Sequence, residues 1–329
     1  MTFLMILVIV LALCFDLTNG MRDSTNIVAT MISSRSILPR NALLLTALAE
    51  FAGPFLFGVA VAKTIVEIVI GNGTINLLII VAALVSAIFW NLFTWFLGLP
   101  SSSSHTLIGG LVGAVVCGAG WQVIQWPSLL KVLIALFTSP IIGLIAGYLI
   151  SRLVVMLCRN ATPRINLLFK RAQILTALAL ALSYGANDAQ KTMGVIALGL
   201  VTAGYLKFLT IPTWVIAACA GMVALGTTLS ARRLIRTLGT KFYHIRPMDS
   251  FNTQLASAVV ILGASLFGGP VSTTQVVSAS ILGVGAAERV NKVRWGVVGE
   301  IATAWLLTIP ATGLIGAGLY LAMRSLCRM

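Results

Sequence analysis

The sequence predicts an all-α polytopic membrane protein built from two inverted-topology repeats, with re-entrant helical hairpins and broken helices. Three observations predict it. Hydrophobic residues make up 59% of the 329 residues and charged residues only 9%. Apolar runs at 42–62, 77–97, 129–150, 214–230 and 295–320 approach the roughly 20 residues that cross a bilayer as helix. Polar motifs of one kind then recur at matched places in the two halves. A β-barrel would instead show short alternating strands.

The first apolar run starts at Thr2. It lacks a basic leader and a small-residue cleavage site, so it reads as a retained first span. It enters the motif Gly20-Met-Arg-Asp-Ser-Thr-Asn26, and the spans 42–62 and 77–97 follow. Gly98-Leu-Pro-Ser-Ser-Ser-Ser-His-Thr106 breaks the pattern. Consecutive serines are poor inside a helix and good at its N-terminus. An apolar helix over 104–119 would rise only about 24 Å, short of the hydrocarbon core of about 30 Å. The segment near 98–119 therefore reads as a re-entrant hairpin with its tip buried in protein, the setting in which irregular backbone is tolerated at membrane depth. The span 129–150 completes the first repeat, 1–158, and a basic linker at 159–171 is predicted to be cytoplasmic. In the second repeat, 172–329, Gly185-Ala-Asn-Asp-Ala-Gln-Lys191 copies the first motif. A span at 214–230 follows. Gly268-Gly-Pro-Val-Ser-Thr-Thr-Gln275 opens a second hairpin near 268–285, and 295–320 is the last span.

The duplication shows at several anchors. Gly20 and Asp23 match Gly185 and Asp188 at an offset of 165. Glu50, Gly53 and Gly58 match Ala218, Gly221 and Gly226 at 168. The Pro100 and Pro270 segments, and Gly113 with Gly283, match at 170.

Net charge is +14. In a soluble chain this would suggest nucleic-acid binding. Here the basic residues lie mostly in short connections, so no nucleic-acid partner is expected. With the linker cytoplasmic and the halves inverted, fifteen of the 22 Lys and Arg fall on the cytoplasmic side and five on the other, while Arg22 and Lys191 sit in the motifs. The positive-inside rule then places both termini outside a multi-pass protein of the plasma (cytoplasmic) membrane. The five cysteines show no paired spacing and read as small buried hydrophobes.

Ionisable groups at membrane depth mark substrate or ion pathways. A helix N-terminus carries unpaired N–H groups and about half a positive charge, so two such ends meeting at mid-bilayer make an oxyanion site. Ser102, Ser103, Ser104 and Thr106 would supply hydroxyls at one end, and Ser272, Thr273 and Thr274 at the other. Capping or tight packing explains either run alone; the matched pair, each after Pro, favours anion binding. Asp23 and Asp188, with Asn26 and Asn187, offer hard oxygens to a small cation such as Na+. A dianion entering a cell needs that escort, because the membrane potential opposes it by about 2.3 kcal/mol per charge per 100 mV. Gln190 and Lys191 are candidate lining of the anion path. Ion pairs Asp23–Arg22 and Asp188–Lys191 are the plainer alternative. Glu50 and Glu300 are candidate proton or cation carriers, or buried acids paired with a hydroxyl. Asp16, one turn before Gly20, would support the motif; His105 either protonates with substrate or packs, and His244 is solvated. No metalloprotease, P-loop or nucleophile-elbow pattern is present, so neither an enzyme nor an ATP-driven pump is expected, and no organic cofactor.

In these residues the chain resembles the inorganic phosphate transporter (PiT) family. The shared motifs are Gly185-Ala-Asn-Asp-Ala-Gln-Lys-Thr-Met-Gly194, Asp23-x-x-Asn26, Gly98-Leu-Pro-Ser-Ser-Ser-Ser-His105 and Pro270-Val-Ser-Thr-Thr274. The resemblance covers essentially the whole chain. It implies a secondary active transporter that imports inorganic phosphate by symport with Na+ or H+ through alternating access, using a transport domain and a scaffold domain. It also implies that Asp23, Asn26, Asn187 and Asp188 serve cation and phosphate binding, and that Ser102, Ser103, Ser104, Ser272, Thr273 and Thr274 hold phosphate. Arg22 stands where such proteins often have His or Asn, and Gln275 where His is frequent. Glu50 and Glu300 stand where bacterial relatives often have Asn. A sulfate or other oxyanion permease of the same fold, or a passive anion channel, is the alternative. The expected partners are phosphate and the lipid bilayer, with a homodimer left open.

Overall fold

The computed structural model describes residues 2–33, 37–69, 75–99, 101–162, 164–230, 246–293 and 295–326, and they hold eleven α-helices and no strand. In chain order these are α1 (Thr2–Ser33), α2 (Pro39–Phe57), α3 (Ala60–Glu67), α4 (Leu77–Leu97), α5 (Ser103–Ala119) and α6 (Trp126–Leu157) in the first half. The second half has α7 (Ile165–Thr202), α8 (Thr213–Leu229), α9 (Pro247–Leu266), α10 (Thr273–Glu288) and α11 (Trp295–Leu326). Arg35, Pro100, the basic stretch with Arg232, Arg233, Arg236, Lys241 and His244, and Arg294, Cys327 and Arg328 lie outside the described residues. So do the side chains of Asn26 and Glu300.

Among the described residues, five helices are long and apolar enough to cross a membrane, and α2 with α3 makes a sixth candidate, bent by 73°. Their surface shows the solvent they expect. On α6, Ile141, Ile145, Leu149 and Leu153 form an exposed stripe, while Gly143, Gly147 and Ser151 are buried on the other face. An apolar stripe left bare at helical spacing faces lipid rather than water.

The helix break falls elsewhere than the aspartate motifs. α1 and α7 run unbroken through Asp23 and Asp188. The carbonyls there stay in the helical ladder. The break comes instead at Gly58, whose φ of 79° lies in the left-handed region that glycine tolerates. Its open backbone groups are satisfied from α7. Gln190 Nε2 donates to Gly58 O at 2.5 Å, and Gln190 Oε1 accepts from Val61 N at 2.8 Å. Without such partners a break inside a bilayer would strand polar groups. The short helices after the hydroxyl runs form as expected, α5 with 17 residues and α10 with 16. α8 is also short, at 17 residues.

Contacts between the helices come in pairs that exchange when the two halves are swapped. α1 packs on α8 and α7 on α2; α4 on α5 and α9 on α10; α5 on α11 and α10 on α6. The pairing reaches single residues. A Cβ on Gly113 would strike the backbone of Gly313, and one on Gly283 the backbone of Leu144 and Tyr148. Such close approach by glycine is how helices pack where lipid removes the hydrophobic drive between them.

Other glycine contacts correct the repeat register over α2 and α8. Gly53 presses on Leu182 O, Gly185 and Ala186 N. Gly226 presses on Leu17 O, Gly20 and Met21 N, which are the same positions one repeat earlier. Gly185 likewise faces Glu50 O while Gly20 faces Val223 O. The spatial partner of Gly53 is therefore Gly226 rather than Gly221, and that of Glu50 is Val223 rather than Ala218. The physical cause is loop length, since the α7–α8 connection is longer than the α1–α2 connection.

Candidate functional site

The two polar motifs sit mid-helix on α1 and α7, which pack on each other. In each, the residue before the aspartate ties that half's own hairpin tip. Arg22 Nη1 donates to Asn91 Oδ1 at 2.8 Å, and Nη2 donates to Ser101 O at 3.0 Å and Ser101 Oγ at 3.1 Å. Asn187, at the equivalent place, donates from Nδ2 to Ser265 Oγ at 2.8 Å and to Gly269 O at 3.4 Å. The first tie is part of a wider network. Asn91 Nδ2 donates to Asn19 Oδ1 at 3.2 Å, Thr106 Oγ1 donates to Asn91 Oδ1 at 3.3 Å, and Thr94 and Ser101 hydroxyls bond at 2.7 Å. A part-buried guanidinium between helices needs such acceptors.

The two tips meet. Ser102 is the N-cap of α5, its hydroxyl accepting from His105 N at 3.3 Å, and Ser272 is the N-cap of α10. Ser104 Oγ donates across to Val271 O at 2.9 Å. His105 Nδ1 and Gln275 Nε2, occupants of equivalent positions in the two repeats, lie 3.5 Å apart. Between the tips stands Lys191, only 1% exposed. Its ammonium donates to Asp188 Oδ1 at 2.5 Å, Ser104 Oγ at 2.6 Å and Val271 O at 2.8 Å. Asp188 Oδ2 accepts from Thr273 Oγ1 at 2.9 Å. One lysine and one aspartate of α7 thus join the first turns of two helices from opposite halves. Both helix N-termini direct positive potential at this point, and the carboxylate balances the ammonium.

Further carboxylates ring this junction. Asp16, Asp23 and Glu50 are all buried and close enough to Asp188 to feel its charge. Asp23 Oδ2 and Asn187 Oδ1 have no hydrogen-bond partner among the described residues. Glu50 accepts from Thr227 Oγ1 of α8 at 2.5 Å. Asp16 accepts from Thr192 Oγ1 at 2.5 Å. No group of three or more His, Cys, Asp or Glu is gathered as a metal cluster among the described residues.

The structure brings together Ser104, Thr273, Asp188 and Lys191 by direct contact. Ser102, Ser103 and Ser272 lie buried at the same two helix starts, and Thr274 is half-buried beside Ser272, its hydroxyl 3.2 Å away. Thr106 is turned into the Asn91 network. Gln190 is held at the Gly58 break. The side chain of Asn26 lies outside the described residues. Asn91, Ser101, Thr192 and Thr227 were not anticipated. Asn91 had a signal, being an amide alone in the apolar run of α4, where a polar side chain needs a partner.

Comparison with known proteins places the chain among relatives. Residues 19–316 match the model of the phosphate transporter family. The chain is 40% identical to a probable low-affinity inorganic phosphate transporter of Bacillus subtilis over 321 residues, covering 96% of each chain. It is 41% identical to the protein of the same description from Rhizobium meliloti, covering 97% of this chain and 96% of that one. Its fold matches the solved structure of a sodium-dependent phosphate transporter with a TM-score of 0.86, at 24% identity, over 98% of this chain and 99% of the other.

Proposed function

The chain belongs to the phosphate transporter family, and from that membership we propose that it is a secondary carrier importing inorganic phosphate together with Na+ or H+. The observation that carries this reading is the junction of Ser104, Lys191, Val271 and Asp188 between two helix N-termini. Hydroxyls and helix N–H groups there suit the oxygens of a tetrahedral anion. Lys191 is already bonded to Asp188. A cation that takes over the Asp188 carboxylate releases the ammonium to the anion, so anion and cation favour each other's binding. That reciprocity is the coupling a symporter needs. Transport then alternates exposure of the junction to the two sides, as inverted repeats with a midplane site commonly do. The excess of Lys and Arg in one set of connections supports a cytoplasmic linker, with both termini outside the plasma membrane.

The test is uptake of radiolabelled phosphate into proteoliposomes, with Na+ and pH gradients imposed separately and sulfate as competitor. Wild type should accumulate phosphate above its external concentration. Asp23→Asn and Asp188→Asn should fold and fail to accumulate it. Normal accumulation by both variants would remove the cation role of these residues. Equilibration without accumulation would favour a passive channel, and stronger uptake of sulfate would change the substrate.

A further inference from the structure

We propose that Asp16 is a proton seat, distinct from the hydroxyl junction, loaded and unloaded in each transport cycle; this rests on the reading of the chain as a cation-coupled carrier. Asp16 is fully buried on α1. Seven residues separate it from Asp23, about 10 Å along the helix. Thr192 Oγ1 of α7 donates to Asp16 Oδ1 at 2.5 Å, and the Cys219 thiol of α8 hydrogen-bonds the same carboxyl group. Asp16 Oδ2 has no hydrogen-bond partner among the described residues. Its neighbours along the helix and across from it, Ala12, Phe15, Val215 and Cys219, belong to one apolar core.

A carboxylate with one bare oxygen in an apolar interior is costly as an anion. Something positive must join it. A hard metal ion gathers six or more oxygens, and the donors at hand are the two of Asp16 and the Thr192 hydroxyl. A proton needs one. It forms an O–H bond on Oδ2, comes from water on one side and returns to water on the other, and no electrons move. The ionisable groups facing Asp16 are Asp188 and Lys191 from α7 and Cys219 from α8. α4 carries none, and Glu50 of α2 is turned to Thr227. Thr192 follows Asp188 by one helical turn, so the charge on Asp16 acts on the Asp188–Lys191 pair. Losing the proton adds a negative charge that draws Lys191 and repels Asp188, which links proton occupancy to the state of the anion junction.

The experiment compares wild type, Asp16→Asn and Asp16→Glu as purified full-length protein in proteoliposomes. Two rates are read: phosphate–phosphate exchange at equal pH, and phosphate accumulation driven by a pH gradient without Na+. In Asp16→Asn the ratio of accumulation to exchange should fall by about tenfold or more, the size of a lost coupling between two ligands. Asp16→Glu should recover part of it. An infrared band of a protonated carboxyl group should be present in wild type and missing in Asp16→Asn. An unchanged ratio, or equal loss of exchange and accumulation in a folded Asp16→Asn protein, overturns the proposal. So does accumulation that follows a Na+ gradient alone and is lost in Asp16→Asn. If wild type carries no phosphate, the carrier reading fails and the cycling of the proton with it; the infrared band then tells separately whether Asp16 holds a proton.

Discussion

Replacing Lys191 with Met asks whether this ammonium is what lets Asp188 sit inside the membrane. Met keeps most of the apolar stem and removes all three donors, those to Asp188, Ser104 and Val271. Asp188 would keep Thr273 Oγ1 at 2.9 Å, with Asp16, Asp23 and Glu50 still nearby. Stranding one member of a buried ion pair costs about 3–5 kcal/mol. Removing both charges in Asp188→Asn/Lys191→Met should cost far less, because a buried pair replaced as a unit is often close to neutral. The double-mutant cycle should then give a coupling of about 2 kcal/mol or more. Denaturant unfolding in detergent micelles of wild type, both single variants and the double variant measures it. The reasoning is refuted if Lys191→Met unfolds within about 1 kcal/mol of wild type, as an exposed pair would allow. A double variant that loses the full sum of the singles would refute it equally. Phosphate accumulation should be lost in all three variants, which separates the stability of the pair from its use.

Two further substitutions probe the scaffold. Gly185→Ala puts a methyl group against the Glu50 backbone carbonyl, so α2 and α7 must part; the expected loss is about 1–3 kcal/mol or more by thermal unfolding. Gly263→Ala, with nothing within 4 Å of the added carbon, should be neutral or stabilising, and equal losses in the two would show that helix approach is not what Gly185 provides. Gln190→Leu removes the partners of Gly58 O and Val61 N at the helix break and should cost about 1–3 kcal/mol for each group left bare. Faster hydrogen exchange confined to the α2–α3 junction is the signature to look for, and unaltered exchange there would show that the break satisfies its own backbone.

Much of the fold was legible because lipid leaves a chain few options. The apolar run 77–97 is α4 residue for residue, and the helix expected over 104–119 is α5, which starts one residue earlier at Ser103 and ends at Ala119. Hydroxyl-capped helix starts are local events, set by the next few residues. Polar residues in a membrane look like an interruption, yet α1 and α7 keep their hydrogen-bond ladders and let side chains carry the polarity. The repeat offset over α2 and α8 slipped by five residues, because Gly53 can align with Gly221 or Gly226 and composition alone does not choose. Only the facing backbone at Leu182 or Leu17 decides it.

By itself the sequence determined the kind of molecule, since hydrophobic runs and hydroxyl-rich helix starts are written in consecutive residues and answer to the bilayer. It also marked Asp23, Asp188 and Lys191 as too costly to be idle. Tertiary structure alone decided who partners whom across the fold: that Lys191 reaches a hairpin of each half, that Arg22 holds Ser101, that Gln190 mends a helix break, and that Asp16 keeps one oxygen bare. Those pairings join residues up to 132 positions apart, and they follow from how glycines let helices approach, which no stretch of neighbouring residues records.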